Sequence, residues 1–243
     1  MAAESPAEPP PIGDSTSDPP AAPPHPESDA VLARRAQLLA TEHWGLLAAR
    51  STAQSEVLTR IALFLTLVSA GLVTIGLLGQ ATGFEDWFAT AALAILGFLA
   101  VVGWLTGIRV MNVADEDLMY VIAMNRLRAA YVDLDPPIEK YLMAGVTDDI
   151  SGMVRTYSFI RRRTDLSQVA GSSMVLIALV HGCVVGLFAG GLLTAVGVSV
   201  GGAVAVGVVV FVVVLTAWIV AGYRTYRETW RTHRPLRQEG ESV

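Results

Sequence analysis

The chain has 243 residues, 53% of them hydrophobic and only 16% charged, with a net charge of −5 and a mean hydropathy of +0.51. That balance lies on the membrane side of ordinary globular composition, and no nucleic-acid partner is expected of it. A single cysteine, Cys183, excludes a disulfide framework within the chain.

Residues 1–28 hold nine of the twelve prolines, five acidic residues and no Lys or Arg. A secretory signal needs a basic start and an apolar core, and this stretch has neither. Its Pro, Ala, Ser and acidic content buries too little surface to offset backbone entropy. It reads as a disordered acidic tail, with a proline-rich docking arm as the functional alternative. Asp29 is placed as the N-cap of a helix that begins at Ala30. Leu32, Leu39 and Leu46 recur every seven residues, but His43, Arg50 and Arg60 interrupt that seam and argue against a long coiled coil. No proline or glycine pair stops the helix before Ile61. Residues 29–60 are therefore predicted as a cytosolic amphipathic helix continuing into the first span.

Residues 61–78 and 87–108 are two charge-free apolar runs joined by a short polar turn at 79–86. A bilayer core of about 30 Å needs about 20 apolar residues per helix, so 61–108 is a transmembrane hairpin. Phe84, Trp87 and Phe88 mark one membrane edge and Trp104 the other. Residues 109–167 form a polar insert of helical character. In it Leu118, Met119, Ile122, Ala123, Leu127 and Ala130 line one broad face. Asp135-Pro136-Pro137 ends that helix and starts a short one running to Gly145. Thr147, Asp148 and Asp149 cap another through Tyr157, and Thr164-Asp165 cap the third span.

From 166 to 223 there are 58 consecutive residues without Asp, Glu, Lys or Arg. That is too long for one crossing, so it reads as a second hairpin over 168–221. Its spans are about 171–193 and 200–221, and 194–202 is the turn. In the remaining 222–243, Tyr223, Tyr226 and Trp230 form one helical stripe and Arg224, Arg227 and Arg231 the next. A helix with such stripes lies at headgroup level.

All 17 basic residues fall on one side of this four-span arrangement. The positive-inside rule then places both termini and the insert in the cytoplasm. Arg109, Arg161, Arg162, Arg163, Arg224, Arg227 and Arg231 serve as topology and lipid anchors. The two hairpins close on similar segments, WLTGIR at 104–109 and WIVAGYR at 218–224. Both a parallel internal repeat and shared interface chemistry account for that.

Gly182, Gly186 and Gly190 recur every four residues in the third span, with Gly103–Gly107 and Gly197–Gly201 repeating the spacing. Such faces let a second backbone approach closely. The valines of the fourth span supply ridges to fill the groove, either within one chain or between copies. His181 is the ionisable group deep in a span, apart from the Cys183 thiol, and such groups are functional candidates. A proton-coupled carrier needs a relay or counter-charge, and no carboxylate lies in any span. His181 is therefore expected to bond a carbonyl or a hydroxyl such as Thr66, Ser69 or Thr74. The acidic groups at 115–117 and 148–149 show no Cys or His ligand spacing and read as helix N-terminal charges. No phosphate loop, nucleophile elbow or paired carboxylate set is present. No catalytic residue, cofactor or metal is expected.

The stretch YVIAMNRLRAAYVDLDPPIEKYL at 120–142, following a span that ends near Arg109, resembles the insert of a family of bacterial four-span integral membrane proteins of unknown function. That resemblance implies a bacterial plasma membrane. More loosely, the order amphipathic helix, hairpin, cytosolic helix is similar to SLATT-type two-span effector domains, which implies membrane perturbation gated by a partner. Taken together, an all-α membrane protein is expected, with four transmembrane helices as two hairpins and a cytosolic helical insert. Its partners would be membrane lipids, a second copy of itself, and a cytosolic partner at 109–167. Its role would be a non-enzymatic scaffold or accessory subunit that self-associates through glycine-rich faces. The alternative is a small oligomeric channel or gated effector in which Thr66, Ser69, Thr74 and His181 face one cavity.

Overall fold

A computed structural model describes residues 28–85, 87–158, 160 and 171–240. The expected N-terminal tail, the Arg161–Arg163 anchors and the Thr164-Asp165 cap lie outside them. Among the described residues there are five α-helices and no strand. They are α1 (Asp29–Thr82), α2 (Phe88–Leu134), α3 (Ile150–Tyr157), α4 (Ser173–Ala195) and α5 (Val200–Thr232). α1, α2, α4 and α5 are long and apolar enough to cross a membrane. The chain is an all-α, multi-pass membrane protein.

Three of the four long helices do not stop at the membrane boundary. α1 runs for 54 residues, about 80 Å at 1.5 Å per residue, so the predicted amphipathic helix and first span are one rod. α2 likewise carries the second span straight into the insert, which is therefore not a separate unit beginning at residue 109. Nothing between 109 and 134 interrupts the backbone ladder, since that stretch holds no proline or glycine. Asp135-Pro136-Pro137 then ends α2 as expected. The helix expected to follow, as far as Gly145, is only a 3₁₀ segment, Pro136–Tyr141, and Asp135 makes no side-chain cap on it. Proline suits the first turn, but Leu142 is already extended, at φ −88° and ψ 110°, and ends the segment after six residues.

The first hairpin closes on two consecutive left-handed residues, Gly83 (φ 62°) and Phe84 (φ 65°). Gly83 stops α1 by donating its N–H to the Gly79 carbonyl, a C-terminal cap of the kind glycine favours. Phe84 folds back over Gly79, where a Cβ would lie 2.3 Å from its ring. In the second hairpin Ser172 and Ser199 cap α4 and α5 with their hydroxyls.

α2 is the shared wall, packed against α1 on one side and α4 on another, with α5 closing on α4. The α4–α5 contact is made by small residues. Added Cβ atoms at Gly186 and Gly207 would lie 2.7 and 2.8 Å from each other's backbone carbonyls, and Gly190 faces the Ala203 carbonyl at 3.2 Å. Gly182 faces Phe211. The glycine groove is thus filled by the chain's own α5, and by Ala203, Gly207 and Phe211 rather than by the valine ridge. Val204, Val206, Val208, Val209, Val212 and Val213 point outward, because backbones this close leave no room for a branched side chain between them. Gly103 lies under Phe64 and His181, and Gly107 under Trp218. Gly197 and Gly201 have no packing role within the chain. A Cβ at either meets nothing within 4 Å, and Gly197 instead serves the turn at φ 88°.

Gly186→Ala is expected to force α4 and α5 apart and to cost about 1–3 kcal/mol as overpacking. Gly201→Ala, in open helix, should be neutral or slightly stabilising. Thermal unfolding in detergent micelles compares the two.

Candidate functional site

Outside the spans, a polar framework ties α1, α2, α3 and the tail of α5 together. On α1, Leu39, His43, Leu46, Arg50, Ala53, Val57, Ile61 and Phe64 recur at helical spacing on one face, and burial deepens toward the span. Val57, Ile61 and Phe64 pack with Val110, Val113 and Ile177 as one core cluster. His43 and Arg50 do not break the seam, because each finds a polar or aromatic partner across it. His43 stacks on Tyr131 at 5.9 Å between centroids. Arg50 forks onto Asp117 through Nε at 2.6 Å and Nη2 at 3.2 Å.

Asp117 also accepts from Gln54 Nε2 at 2.7 Å and from the Tyr157 hydroxyl at 2.6 Å. One carboxylate therefore holds α1 and α3 onto α2. Burial, reinforced by the Asp117 carboxylate, pushes the Tyr157 phenol far above its ordinary range, so it stays a hydrogen-bond donor. Asp115 accepts from the Thr229 hydroxyl of α5 at 2.6 Å. Glu116 shares Arg109 with Glu56. The acidic group at 115–117 was expected at a helix N-terminus, but α2 continues through it, and its carboxylates are cross-links between helices.

The second acidic group divides its work. Asp149 caps α3, as expected, accepting the Gly152 N–H at 2.9 Å and the Thr147 and Ser151 hydroxyls. Its other oxygen takes the Glu239 N–H at 3.0 Å. Asp148 is not a cap. It is 1% exposed and accepts the Leu236 and Arg237 N–H groups at 2.9 Å and Arg126 Nε at 2.5 Å. His233 reaches the Asp148 carbonyl at 2.7 Å, and Arg237 pairs with Asp133. The segment after α5 is clamped onto the insert chiefly by this buried carboxylate, with Asp149 and Asp133 adding one contact each. Asn125, 0% exposed, completes the framework. It donates to the Thr147 carbonyl at 2.9 Å and accepts from Arg128 at 2.6 Å and Thr156 at 2.8 Å.

α5 does not bend away at the membrane edge but continues straight to Thr232. Trp230 leaves the expected headgroup stripe to pack with Leu118, Val121, Ile122, Met124 and Met153, while Tyr223 and Tyr226 remain exposed. Apolar burial on the insert outweighs interfacial placement for Trp230, the residue farthest along. Of the described anchors, Arg109 lies between two carboxylates, Arg231 is 4.0 Å from Glu228, and Arg227 stacks on Tyr223 at 5.7 Å.

Within the membrane, His181 bonds a carbonyl, but on α2 rather than α1. Trp218 Nε1 donates to His181 Nδ1 at 3.0 Å. That leaves the proton on Nε2, 3.0 Å from the Ala100 carbonyl. Both ring nitrogens are spent, and the imidazole pins α4 to α2 and α5. Thr66, Ser69 and Thr74 lie on the exposed face of α1 and return their hydroxyls to carbonyls four residues earlier, Ala62, Leu65 and Ala70. They share no cavity with His181. Cys183 is exposed on α4. Compared with protein-family models, curated proteins and solved structures, the chain finds no match in any of the three.

Asp148→Asn is expected to cost about 3 kcal/mol, as losing one partner of a buried pair does, and to free the segment after α5. Limited trypsin digestion should cut after Arg237, which precedes Gln238, at least tenfold faster in the variant.

Asp149 responds to acid in a defined window. Burial alone would raise its carboxyl. The Gly152 and Glu239 N–H groups and the Ser151 and Thr147 hydroxyls outweigh this and hold it at about 2. Burial likewise opposes the depression of Asp148, which its backbone partners and Arg126 impose. Because the folded values lie below the ordinary one of 3.8, the stabilisation is complete above about pH 4. It is lost as pH falls toward 2. Release of the tail should carry His233 off the Trp230 ring, and a change in tryptophan fluorescence in that window reports it.

Proposed function

We propose that the chain is a non-enzymatic membrane scaffold or accessory subunit whose extramembrane platform engages other proteins. The observation that carries this reading is mechanical continuity. α1, α2 and α5 leave the membrane unbroken and are joined beyond it by Asp115, Asp117 and Asp148. A partner bound to the platform would bear directly on the spans, and Asp117, Asp148 and Asn125 are engaged in holding it together. The gathering of basic residues at one end supports a cytoplasmic side for this platform and both termini, and a bacterial plasma membrane belongs to the same proposal.

Self-association belongs to the same reading, on a different face from the glycine groove that α5 fills. Ala62, Thr66, Ser69 and Gly76 are exposed on the outward side of α1, and a Cβ at Gly76 meets nothing within 4 Å. Small residues of this kind favour close helix pairing in lipid. The channel alternative would require Thr66, Ser69 and Thr74 of several copies to surround an axis.

Energy transfer between labelled copies in vesicles, with conductance of the same preparation in planar bilayers, separates these readings. Copies are expected to associate without conducting, and the double variant Ser69→Leu, Gly76→Leu should reduce association at least fivefold. Unitary conductance would replace the scaffold with the pore, and association unchanged in the double variant would remove the α1 face.

A further inference from the structure

A groove of about 550 Å³ opens between α2, α4 and α5, with Ala100, Trp104, His181, Val214, Ala217 and Trp218 in its walls. Its lining is almost wholly apolar even though it contains a histidine and two tryptophans. Trp218 spends its N–H on His181, and His181 turns its other nitrogen to Ala100. With those two side chains bonded to each other and to α2, the floor of the groove offers water little to bind. It suits hydrocarbon.

The groove also has a polar end. On α5 its wall runs through Val214, Ala217 and Ala221, and Arg224 follows on the same side, seven residues past Ala217 and three past Ala221. Val214 to Arg224 is ten residues, about 15 Å of helix, which is half of the roughly 30 Å hydrocarbon core. One leaflet's depth therefore separates the inner end of the groove from the guanidinium. Arg224 is exposed and has no ion-pair partner among the described residues. Nearby Arg109 is held by Glu56 and Glu116, and Arg227 lies over Tyr223. Trp104, 57% exposed at the groove's edge, stands at the same end, where an indole suits the interface.

We propose that this groove is a binding site for one anionic phospholipid of the leaflet at the basic end. One acyl chain lies along Ala217 and Trp218, and the phosphate is paired with Arg224. A neutral lipid would fill the groove equally well but leave the net charge of Arg224 uncompensated. A cation near the membrane surface favours anionic lipid by about 1 kcal/mol, which converts to about a fivefold preference.

The test is native mass spectrometry of the detergent-purified full chain, incubated with equal concentrations of phosphatidylglycerol and phosphatidylcholine of matched chains. The wild type should retain phosphatidylglycerol about fivefold more. Arg224→Gln should bring that ratio close to one, and Arg227→Gln should leave it unchanged. Ala217→Leu, at an exposed position that narrows the groove, should lower retention of both lipids. Thermal unfolding of each variant confirms that it is folded. Equal retention of the two lipids by the wild type would overturn the proposal. So would an unchanged ratio in Arg224→Gln, or undiminished retention in folded Ala217→Leu.

Discussion

The unbroken course of α2 from Phe88 to Leu134 is the constraint on which the remaining structure depends. Its backbone ladder crosses the membrane boundary without a proline or glycine to interrupt the stretch beyond it. The acidic and amide side chains past residue 114 are therefore presented at fixed helical phase to α1, α3 and α5. Asp117 meets Arg50 and Tyr157, Asp115 meets Thr229, and Asn125 meets the loop before α3. Had α2 ended near Arg109, none of these side chains would have a determined direction, and the platform would be a set of tethered short helices.

Two packing solutions operate along the same molecule. In the spans, where lipid is as apolar as the side chains, association rests on close approach and on polar groups that must be satisfied internally. The Gly186–Gly207 contact and the Trp218–His181–Ala100 chain are instances of each. Beyond the spans, water restores the hydrophobic term, and Leu118, Val121, Met124 and Met153 gather Trp230 into a small core. Buried carboxylates are costly there unless several donors meet them. Asp148 has two backbone N–H groups and a guanidinium, which is why it can sit at 1% exposure.

Much of the fold was legible in the residue order. The four apolar runs, the stop at Asp135-Pro136-Pro137 and the Asp149 cap all follow from local rules of length, proline chemistry and capping. The acidic group at 115–117 was misread because a charge cluster at a helix N-terminus and one in mid-helix look alike until the partner helix is known. The glycines of α4 announced close packing but not against what. Gly197 and Gly201 share their spacing and pack nothing within the chain, since spacing alone does not say which face of a helix is covered. Asn125 carried no signal at all. A lone amide in an amphipathic helix becomes structural only when a loop from 22 residues away lays a carbonyl on it.

The sequence by itself determined that this is a helical membrane protein and that its cations lie at one end. Both follow from the cost of placing charge and unpaired backbone in hydrocarbon, which acts residue by residue. Only the tertiary structure decided how the runs are used. It showed that α2 and α5 extend past the membrane as α1 was expected to, that the glycine groove is filled from within the chain, and that His181 is fully bonded. The last two outcomes depend on which faces meet across 13 to 81 residues of chain, and helical periodicity ranks faces without naming their partners.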